Sequence, residues 1–212
     1  MRAVLFDVDG TLVDSNYLHI DAWSRALAEV GAPVESWRIH RSIGMDSGRM
    51  LRELLGDAAD GLSDAAKDAH ARLFRAQAGR LRAFGGAAEL LGDLSDMGIA
   101  VVLATSAAAD ELELLISALG VDADRLITTN ADDVDVAKPH PHIIEIALER
   151  AQVDASDAMF VGDTVWDMIA ARRARVATIG VRSGGISSDE LTSAGAMRLV
   201  DAVGRLSAAE FE

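Results

Sequence analysis

Hydrophobic and polar residues follow two different periods along the chain. Residues 3–6 form a short apolar run that predicts a buried strand at about 3–8, whereas residues 15–82 carry apolar residues at the three- and four-residue spacing of amphipathic helices. From Gly86 onward, short apolar runs alternate with helix-like stretches. The predicted elements are helices at 16–30, 46–55 and 63–81, and then, in order, helix 87–97, strand 99–104, helix 110–119, strand 126–129, helix 141–151, strand 158–161, helix 164–174 and strand 176–181.

This alternation of strands and helices predicts an α/β fold, with a Rossmann-like parallel sheet that has helices on both faces. The helical region follows the first strand directly. It is therefore predicted to be an all-helical cap domain, residues 15–82, inserted into a core domain of residues 1–14 and 83–212. Such sheets bind ligands at the carboxyl ends of their strands, and the cap should lie above that edge. Trp23 and Trp37 are expected to pack inside the cap.

Two aspartates, Asp7 and Asp9, stand directly after the first strand. Two carboxylates so close together in a partly desolvated turn repel each other unless a cation shares the site, and a divalent metal would remove the conflict. Asp163 follows another predicted strand, and it would complete an oxygen site with Asp7 and the backbone carbonyl of Asp9. The alternative is an ordinary Asp-Gly turn after the first strand, with Asp163 serving only as a helix cap.

If the substrate is a phosphate ester, each of these residue types has a task. Asp7 would be the nucleophile that forms an aspartyl-phosphate, and Asp9 would protonate the leaving alcohol and then deprotonate the attacking water. Thr105 and Ser106 follow a strand and would bind the phosphoryl oxygens, while Lys138 would stabilise the charge that develops during transfer. Taken singly, Thr105 and Ser106 could cap a helix, and Lys138 could be a solvated loop residue.

Composition limits the partners and the cofactor. The chain has 212 residues, a net charge of −14 and no cysteine. This acidity argues against a nucleic-acid or anionic-membrane surface, and no apolar run is long enough to span a bilayer, so a cytoplasmic protein is expected. Without thiolates the ligands are mainly oxygen atoms, which favour a hard ion such as Mg²⁺. A small anionic substrate remains possible, and no obligate protein partner is evident.

Four segments resemble, in order and spacing, the motifs of the haloacid dehalogenase (HAD) superfamily: residues 7–14, Thr105, residues 138–139 and residues 162–167. Within it the chain is similar to the phosphatase and mutase group, which has a helical cap between the first and second motifs. The resemblance implies the roles given above, and it makes Asp167 a partner of Lys138 or of a water on the metal. From the residues alone, Asp167 could equally lie on an exposed helix face.

The resemblance also points to residues that would select the substrate. Residues 43–49 are similar to the cap loop that reaches the active site in this family, and His19 matches a histidine of the mutases and several phosphatases. His19, Gly44 and Arg49 are therefore candidates for specificity, with Arg49 and Arg41 as cations for a second anionic group. Alternatively, Gly44 ends a helix and His19 faces solvent. Arg175 stands where family members commonly have glycine, so the preceding helix is expected to end differently.

These observations predict a Mg²⁺-dependent phosphatase that acts on a small phosphorylated metabolite. The resemblance supports phosphoryl transfer in particular, because family members that dehalogenate work without a metal and lack the second aspartate, here Asp9. A sugar-phosphate mutase that uses the same aspartyl-phosphate is the main alternative. A catalytically silent binding protein on the same fold is less consistent with the sequence, since every charged motif position is present.

Overall fold

The structure is a computed structural model that describes residues 1–133 and 138–212, except for the side chain of Asp132. Its centre is a sheet of six parallel strands in the order β3-β2-β1-β4-β5-β6. The strands are β1 Ala3–Phe6, β2 Ala100–Ala104, β3 Ile127–Thr129, β4 Ala158–Gly162, β5 Ala177–Val181 and β6 Arg198–Val200. The prediction of an α/β fold with a parallel sheet is therefore confirmed.

Nine α-helices surround this sheet in the described residues. They are α1 Asn16–Glu29, α2 Ser36–Ser42, α3 Ser47–Leu55, α4 Ala59–Arg75, α5 Ala87–Asp96, α6 Ala109–Leu119, α7 His142–Ala151, α8 Val165–Arg173 and α9 Ser188–Ala194. None of them is long and apolar enough to cross a membrane. Residues 15–82, called the cap segment below, contain α1 to α4, and none of the six strands named above lies within them.

Both faces of the sheet are covered, and β1 shows how the sequence achieves this. Successive side chains of a strand point to opposite faces. Val4 and Phe6 accordingly share one core cluster with leucines of α5 and α6, whereas Ala3 and Leu5 share another with residues of α7 and α8. All four residues are fully buried. A strand with both faces buried reads as a continuous apolar run, which is why its position was predictable.

Several boundaries differ from the predicted ones. Helix α4 begins at Ala59 and not at Ser63, because the Ser63 hydroxyl donates to the carbonyl of Ala59 within the helix instead of capping it. The sequence pattern did not predict α2, α9 or β6, which have seven, seven and three residues and are too short to show a period. Trp23 is buried as expected, but Trp37 is 68% exposed, so the expectation that it packs inside the cap is wrong.

The cap segment leaves the core and returns to it at neighbouring points. The backbone N–H of Asp14 donates to Arg82, and that of Phe84 donates to Leu12. The two connections therefore run side by side at the positions where the domain boundaries were predicted. The division into two domains stays a prediction.

Arg175, which follows α8, has a backbone conformation that glycine adopts more readily than other residues. The helix ends at Arg173, and Arg175 has a φ of 62°, in the left-handed region that disfavours side chains with a Cβ.

We expect Arg175→Gly to raise the free energy of unfolding by about 0.5–1 kcal/mol, because the relief of this strain exceeds the extra entropy of glycine in the unfolded chain. The matched control, Arg172→Gly inside α8, should lower it. Urea denaturation of both variants tests this, and equal destabilisation would contradict it.

Candidate active site

A fully buried lysine forms the centre of the site. Lys138 Nζ lies 2.5 Å from Oδ1 of Asp7 and 2.9 Å from Oδ1 of Asp167, and its side chain has no exposed surface. The interpretation of Lys138 as a solvated loop residue is therefore wrong. An ammonium group without water needs negative partners, and these two carboxylates supply them. They raise the pKa of Lys138 against the opposing effect of burial, so the lysine stays charged.

Backbone geometry places the aspartates around this lysine. Asp7 continues the β1–β4 ladder, because its N–H donates to the carbonyl of Val161, and Asp163 follows the last residue of β4. Thr164 is the N-cap of α8, and Asp167 accepts hydrogen bonds from the N–H and the hydroxyl of Thr164 in a capping box. The interpretation of Asp163 as the cap is thus wrong. So is that of Asp167 as an exposed residue, since it is fully buried.

The same residues form an acidic cluster that fits a metal ion. One oxygen each of Asp7, Asp163 and Asp167 lie within 4.8 Å of one another, and all three residues are buried. Burial, together with the charges of its neighbours, raises the pKa of Asp7 to about 7 and that of Asp163 well above its usual value. Three carboxylates therefore surround one ammonium group, so the site holds more negative charge than Lys138 balances. A divalent cation would supply the missing charge.

Asp163 is oriented by groups that the sequence did not single out. The Thr11 hydroxyl donates to Oδ1 of Asp163, and the Asn16 amide donates to Oδ2, both at 2.9 Å. The other amide atom, Asn16 Oδ1, is buried without a hydrogen-bond partner in the described structure. Gly184 approaches from the other side, where an added Cβ would lie 1.7 Å from Asp163 Oδ2. The Gly184-Gly185 pair was visible in the sequence, but it indicated only a loop.

The Asp9 carboxylate turns away from this cluster and begins a chain of contacts. Its Oδ1 accepts from the Ser15 hydroxyl at 2.5 Å and lies 3.0 Å from Nε2 of His19. His19 Nδ1 lies 3.0 Å from Nε2 of His70, and His70 Nδ1 lies 3.4 Å from Oε1 of Glu111. His19 is therefore buried beside Asp9, and the interpretation of it as a solvent-facing residue is wrong. The Asp9 side chain is thus engaged through Oδ1, which leaves the predicted metal-binding role to its backbone carbonyl beside Asp7 and Asp163.

The four groups of this Asp9–Glu111 chain need one more proton than two neutral imidazoles carry. With both carboxylates ionised, each ring nitrogen that faces a carboxylate carries a hydrogen, and the contact between the rings needs a third. Burial opposes a charge on either ring, but the carboxylate of Asp9 raises the pKa of His19, whereas burial and the charge of His19 lower that of His70 to about 2. Between the two rings, the extra proton therefore belongs to His19, and burial also raises the pKa of Glu111. His19 in turn lowers the pKa of Asp9 against the effect of burial.

Thr105 and Ser106 lie at the end of β2 and line a cavity above Asp7. Helix α6 begins at Ala109 with Ala108 as its N-cap, so the interpretation of the two hydroxyl residues as helix caps is wrong. The Thr105 hydroxyl accepts from the N–H of Ala107 at 3.0 Å, which leaves its own hydrogen available to a ligand. The structure thus brings both predicted phosphate-binding residues to the same space as Asp7.

Cap and core meet across this cavity, which has a volume of about 270 Å³. Gly44 lies on the cap side with a φ of 87°, and an added Cβ would come within 2.8 Å of the Thr164 hydroxyl. Gly44 therefore permits close contact between cap and core. Arg49, in contrast, does not line the cavity, since it pairs with Glu53 at 2.9 Å and its guanidinium lies over the ring of Trp166.

A family model described as haloacid dehalogenase-like hydrolase matches residues 1–175. The chain belongs to this family. This match confirms the predicted family, and the parallel sheet agrees with the fold of this HAD-like hydrolase. The matched range contains Asp7, Asp9, Thr105, Lys138 and Asp163. The family generally uses a divalent metal, which agrees with the buried acidic cluster.

Relatives of this HAD-like hydrolase cover nearly its whole length. A protein of Dickeya dadantii named "probable phosphatase IndB" is 32% identical over 93% of this chain and 88% of the relative. A phosphoglycolate phosphatase of Rhodospirillum rubrum is 30% identical over 94% of this chain and 87% of the relative. Among solved structures, a hydrolase from Pseudomonas syringae has a TM-score of 0.92 at 33% identity, covering 96% of this chain and 95% of the other.

Proposed function

We propose that this HAD-like hydrolase is a Mg²⁺-dependent phosphatase that cleaves a small phosphorylated metabolite through an aspartyl-phosphate on Asp7. The observation that carries the proposal is the position of the Asp7 carboxylate, which lines the cavity while the buried ammonium of Lys138 holds one of its oxygens at 2.5 Å. A carboxylate fixed in this way presents its other oxygen to a phosphorus atom.

The class of enzyme is confirmed by the family and its relatives. The family is one of hydrolases, and the two curated relatives described above carry the name phosphatase. The chain is therefore a HAD-type phosphoric monoester hydrolase. The substrate, the metal and the covalent intermediate belong to the proposal.

In the proposed reaction, Asp7 attacks phosphorus and the bond to the leaving alcohol breaks. A proton shared by Asp9 and His19 passes through the Asp9 carboxyl to that alcohol, and Asp9 then removes one from the water that attacks the aspartyl-phosphate, which restores the pair. Ser15 and His19 hold the Asp9 side chain toward the cavity for both steps. Lys138 and the Thr105 hydroxyl stabilise the negative charge on the phosphoryl oxygens.

Asp7 and Asp163, with the backbone carbonyl of Asp9, are the proposed ligands of the metal, and Asp167 lies beside them. These residues would hold Mg²⁺ where it would neutralise the charge that Asp7 and the phosphate share. The donor set supports this choice, because it consists of oxygen atoms and contains no soft ligand. Burial and the charges of Asp167 and Asp7 raise the pKa of Asp163, and a cation at this position would favour its ionised form.

A sugar-phosphate mutase is the second candidate, and the contact of His19 with Asp9 favours it. In a mutase the phosphoryl group returns to a hydroxyl of the substrate, so little inorganic phosphate appears. A silent binding protein would show no turnover at all. Both alternatives therefore differ from the phosphatase in a time course of phosphate release.

The proposal is tested by phosphate release from a panel of phosphorylated sugars, organic acids and nucleotides, with Mg²⁺, Ca²⁺ or EDTA. We expect multiple turnovers with Mg²⁺ and a loss of about tenfold or more in EDTA, because the uncompensated carboxylates then repel the phosphate. Ca²⁺ should bind but support little turnover, since its longer and looser coordination misplaces the reacting groups. Full activity after exhaustive chelation would rule out the proposed role of the metal.

A further inference from the structure

The walls of the cavity carry unequal charge. Apart from the residues placed in phosphoryl transfer and their histidine contact, the charged side chains that line it in the described structure are Lys67, Asp68, Asp110 and Glu111. Three carboxylates therefore accompany one ammonium group. We infer that this enzyme hydrolyses monoesters whose leaving alcohol carries no second anionic group. This inference rests on the proposed phosphatase function.

The arginines of the cap segment do not correct this balance. No arginine lines the cavity in the part of the chain that the structure describes. Six of them are paired with carboxylates: Arg25 with Asp21, Arg38 with Glu35, Arg41 with Glu190, Arg49 with Glu53, Arg72 with Glu29, and Arg75 with Asp110. The last pair offsets one of the three acidic groups. Asp68 and Glu111 still outnumber Lys67, so an incoming anion meets net negative charge.

The inner wall of the cavity is also unsuited to an anion. The His70 ring is uncharged at neutral pH, because burial and the charge of His19 lower its pKa to about 2. Trp23 stacks on this ring with 4.0 Å between ring centroids, and Oε1 of Glu111 lies 3.4 Å from Nδ1 of His70. Met50 adds a further apolar surface. A carboxylate placed here would lose its water against apolar groups and would face Glu111, both of which are unfavourable.

Volume limits the size of the alcohol. The cavity of about 270 Å³ must also hold the phosphoryl group above Asp7. Typical sites for drug-sized ligands begin at roughly 300 Å³. The leaving alcohol is therefore small, in the range from a few carbon atoms to one sugar ring, and it presents hydroxyl or ammonium groups instead of a carboxylate or a second phosphate.

Three esters of nearly equal size test the inference, because their two-carbon leaving alcohols differ mainly in charge: 2-phosphoglycolate, 2-hydroxyethyl phosphate and phosphoethanolamine. Each ester is measured as a substrate and as a competitor of p-nitrophenyl phosphate, so that binding is measured even for an ester that is not hydrolysed. We expect the neutral and cationic esters to exceed 2-phosphoglycolate in kcat/KM, or in competition, by about tenfold or more.

The outcomes separate the inference from the function on which it rests. Hydrolysis of p-nitrophenyl phosphate with 2-phosphoglycolate equal to or better than the other two esters would overturn the inference alone. A complete lack of phosphate release, from p-nitrophenyl phosphate and the three esters alike, would overturn the proposed function and the inference with it.

A charge reversal at the cavity wall gives a second test. Asp68→Lys should raise the relative preference for 2-phosphoglycolate over 2-hydroxyethyl phosphate by about threefold to tenfold, because it adds a cation to the wall. Asp64→Lys is the matched control, since Asp64 is exposed one turn earlier on α4 and does not line the cavity. A similar change of preference in both variants would show that overall charge, and not the wall, selects the substrate, which would contradict the inference.

Discussion

Asp7→Asn should lower turnover by about 10³-fold or more. The asparagine amide keeps the shape of the side chain but cannot attack phosphorus, so the covalent route is lost. Steady-state phosphate release with Mg²⁺ measures the effect, and Asp93→Asn on the exposed side of α5 is the control that should retain full activity. Turnover near the wild-type value would remove Asp7 from the mechanism.

The fold should survive this substitution. Burial and neighbouring carboxylates raise the pKa of Asp7 from 3.8 to about 7 in the folded protein. An acid with a raised pKa costs the folded state stability as the pH rises through that interval, because ionisation is then easier in the unfolded chain. Asparagine does not ionise, and Lys138 keeps Asp167 as a partner. In EDTA at pH 8, the thermal midpoint of the variant should therefore equal or exceed that of the wild type.

Asp9→Asn should slow both half-reactions, but unequally. A good leaving group such as p-nitrophenol departs with little help, so the phosphorylation of Asp7 by p-nitrophenyl phosphate should fall much less than that by an alkyl phosphate, for which a loss of about 10²–10⁴-fold is expected. Hydrolysis of the aspartyl-phosphate needs the base with either substrate. The intermediate should accumulate on Asp7 and appear as a burst of nitrophenol.

Rapid-quench kinetics on this variant measure the two steps separately. Ser15→Ala is a useful comparison, because it removes one hydrogen bond to Asp9 and keeps the carboxylate, so it should cause a smaller loss and no burst. If Asp9→Asn lowered the phosphorylation rate equally with both substrates and gave no burst, Asp9 would serve the metal or the fold and not proton transfer.

The local sequence pattern predicted both the sheet and the convergence of the residues that follow its strands, and the reason is physical. Strands buried on both faces must be continuously apolar, and parallel strands bring their carboxyl ends to one edge. Asp7, Asp163 and Lys138 could thus be expected at one site from their positions alone. The short elements α2, α9 and β6 left no comparable signal, because their formation depends on packing against the rest of the protein.

The partners of Asp9 were predictable only in part. His19 could be suspected from the family resemblance, but His70 and Glu111 lie far along the chain, on α4 and α6, and no spacing relates them to Asp9. Their contact exists only after the cap segment has packed on the core. Arg49 is a different case, because the resemblance suggested it as a substrate-binding cation. In the structure it pairs with Glu53 of its own helix and does not line the cavity.

The insertion of the cap segment after β1 has a consequence for folding during synthesis. β1 lies inside the sheet, and Ala3 pairs with Ala100 on one side and with Ala158 on the other. The cap helices contact one another within residues 16–75, so they can form before either neighbouring strand has left the ribosome. The strand that leads into Asp7 then lacks one of its two neighbouring strands until β4 emerges. We expect chaperone dependence of the nascent chain to end at about that length.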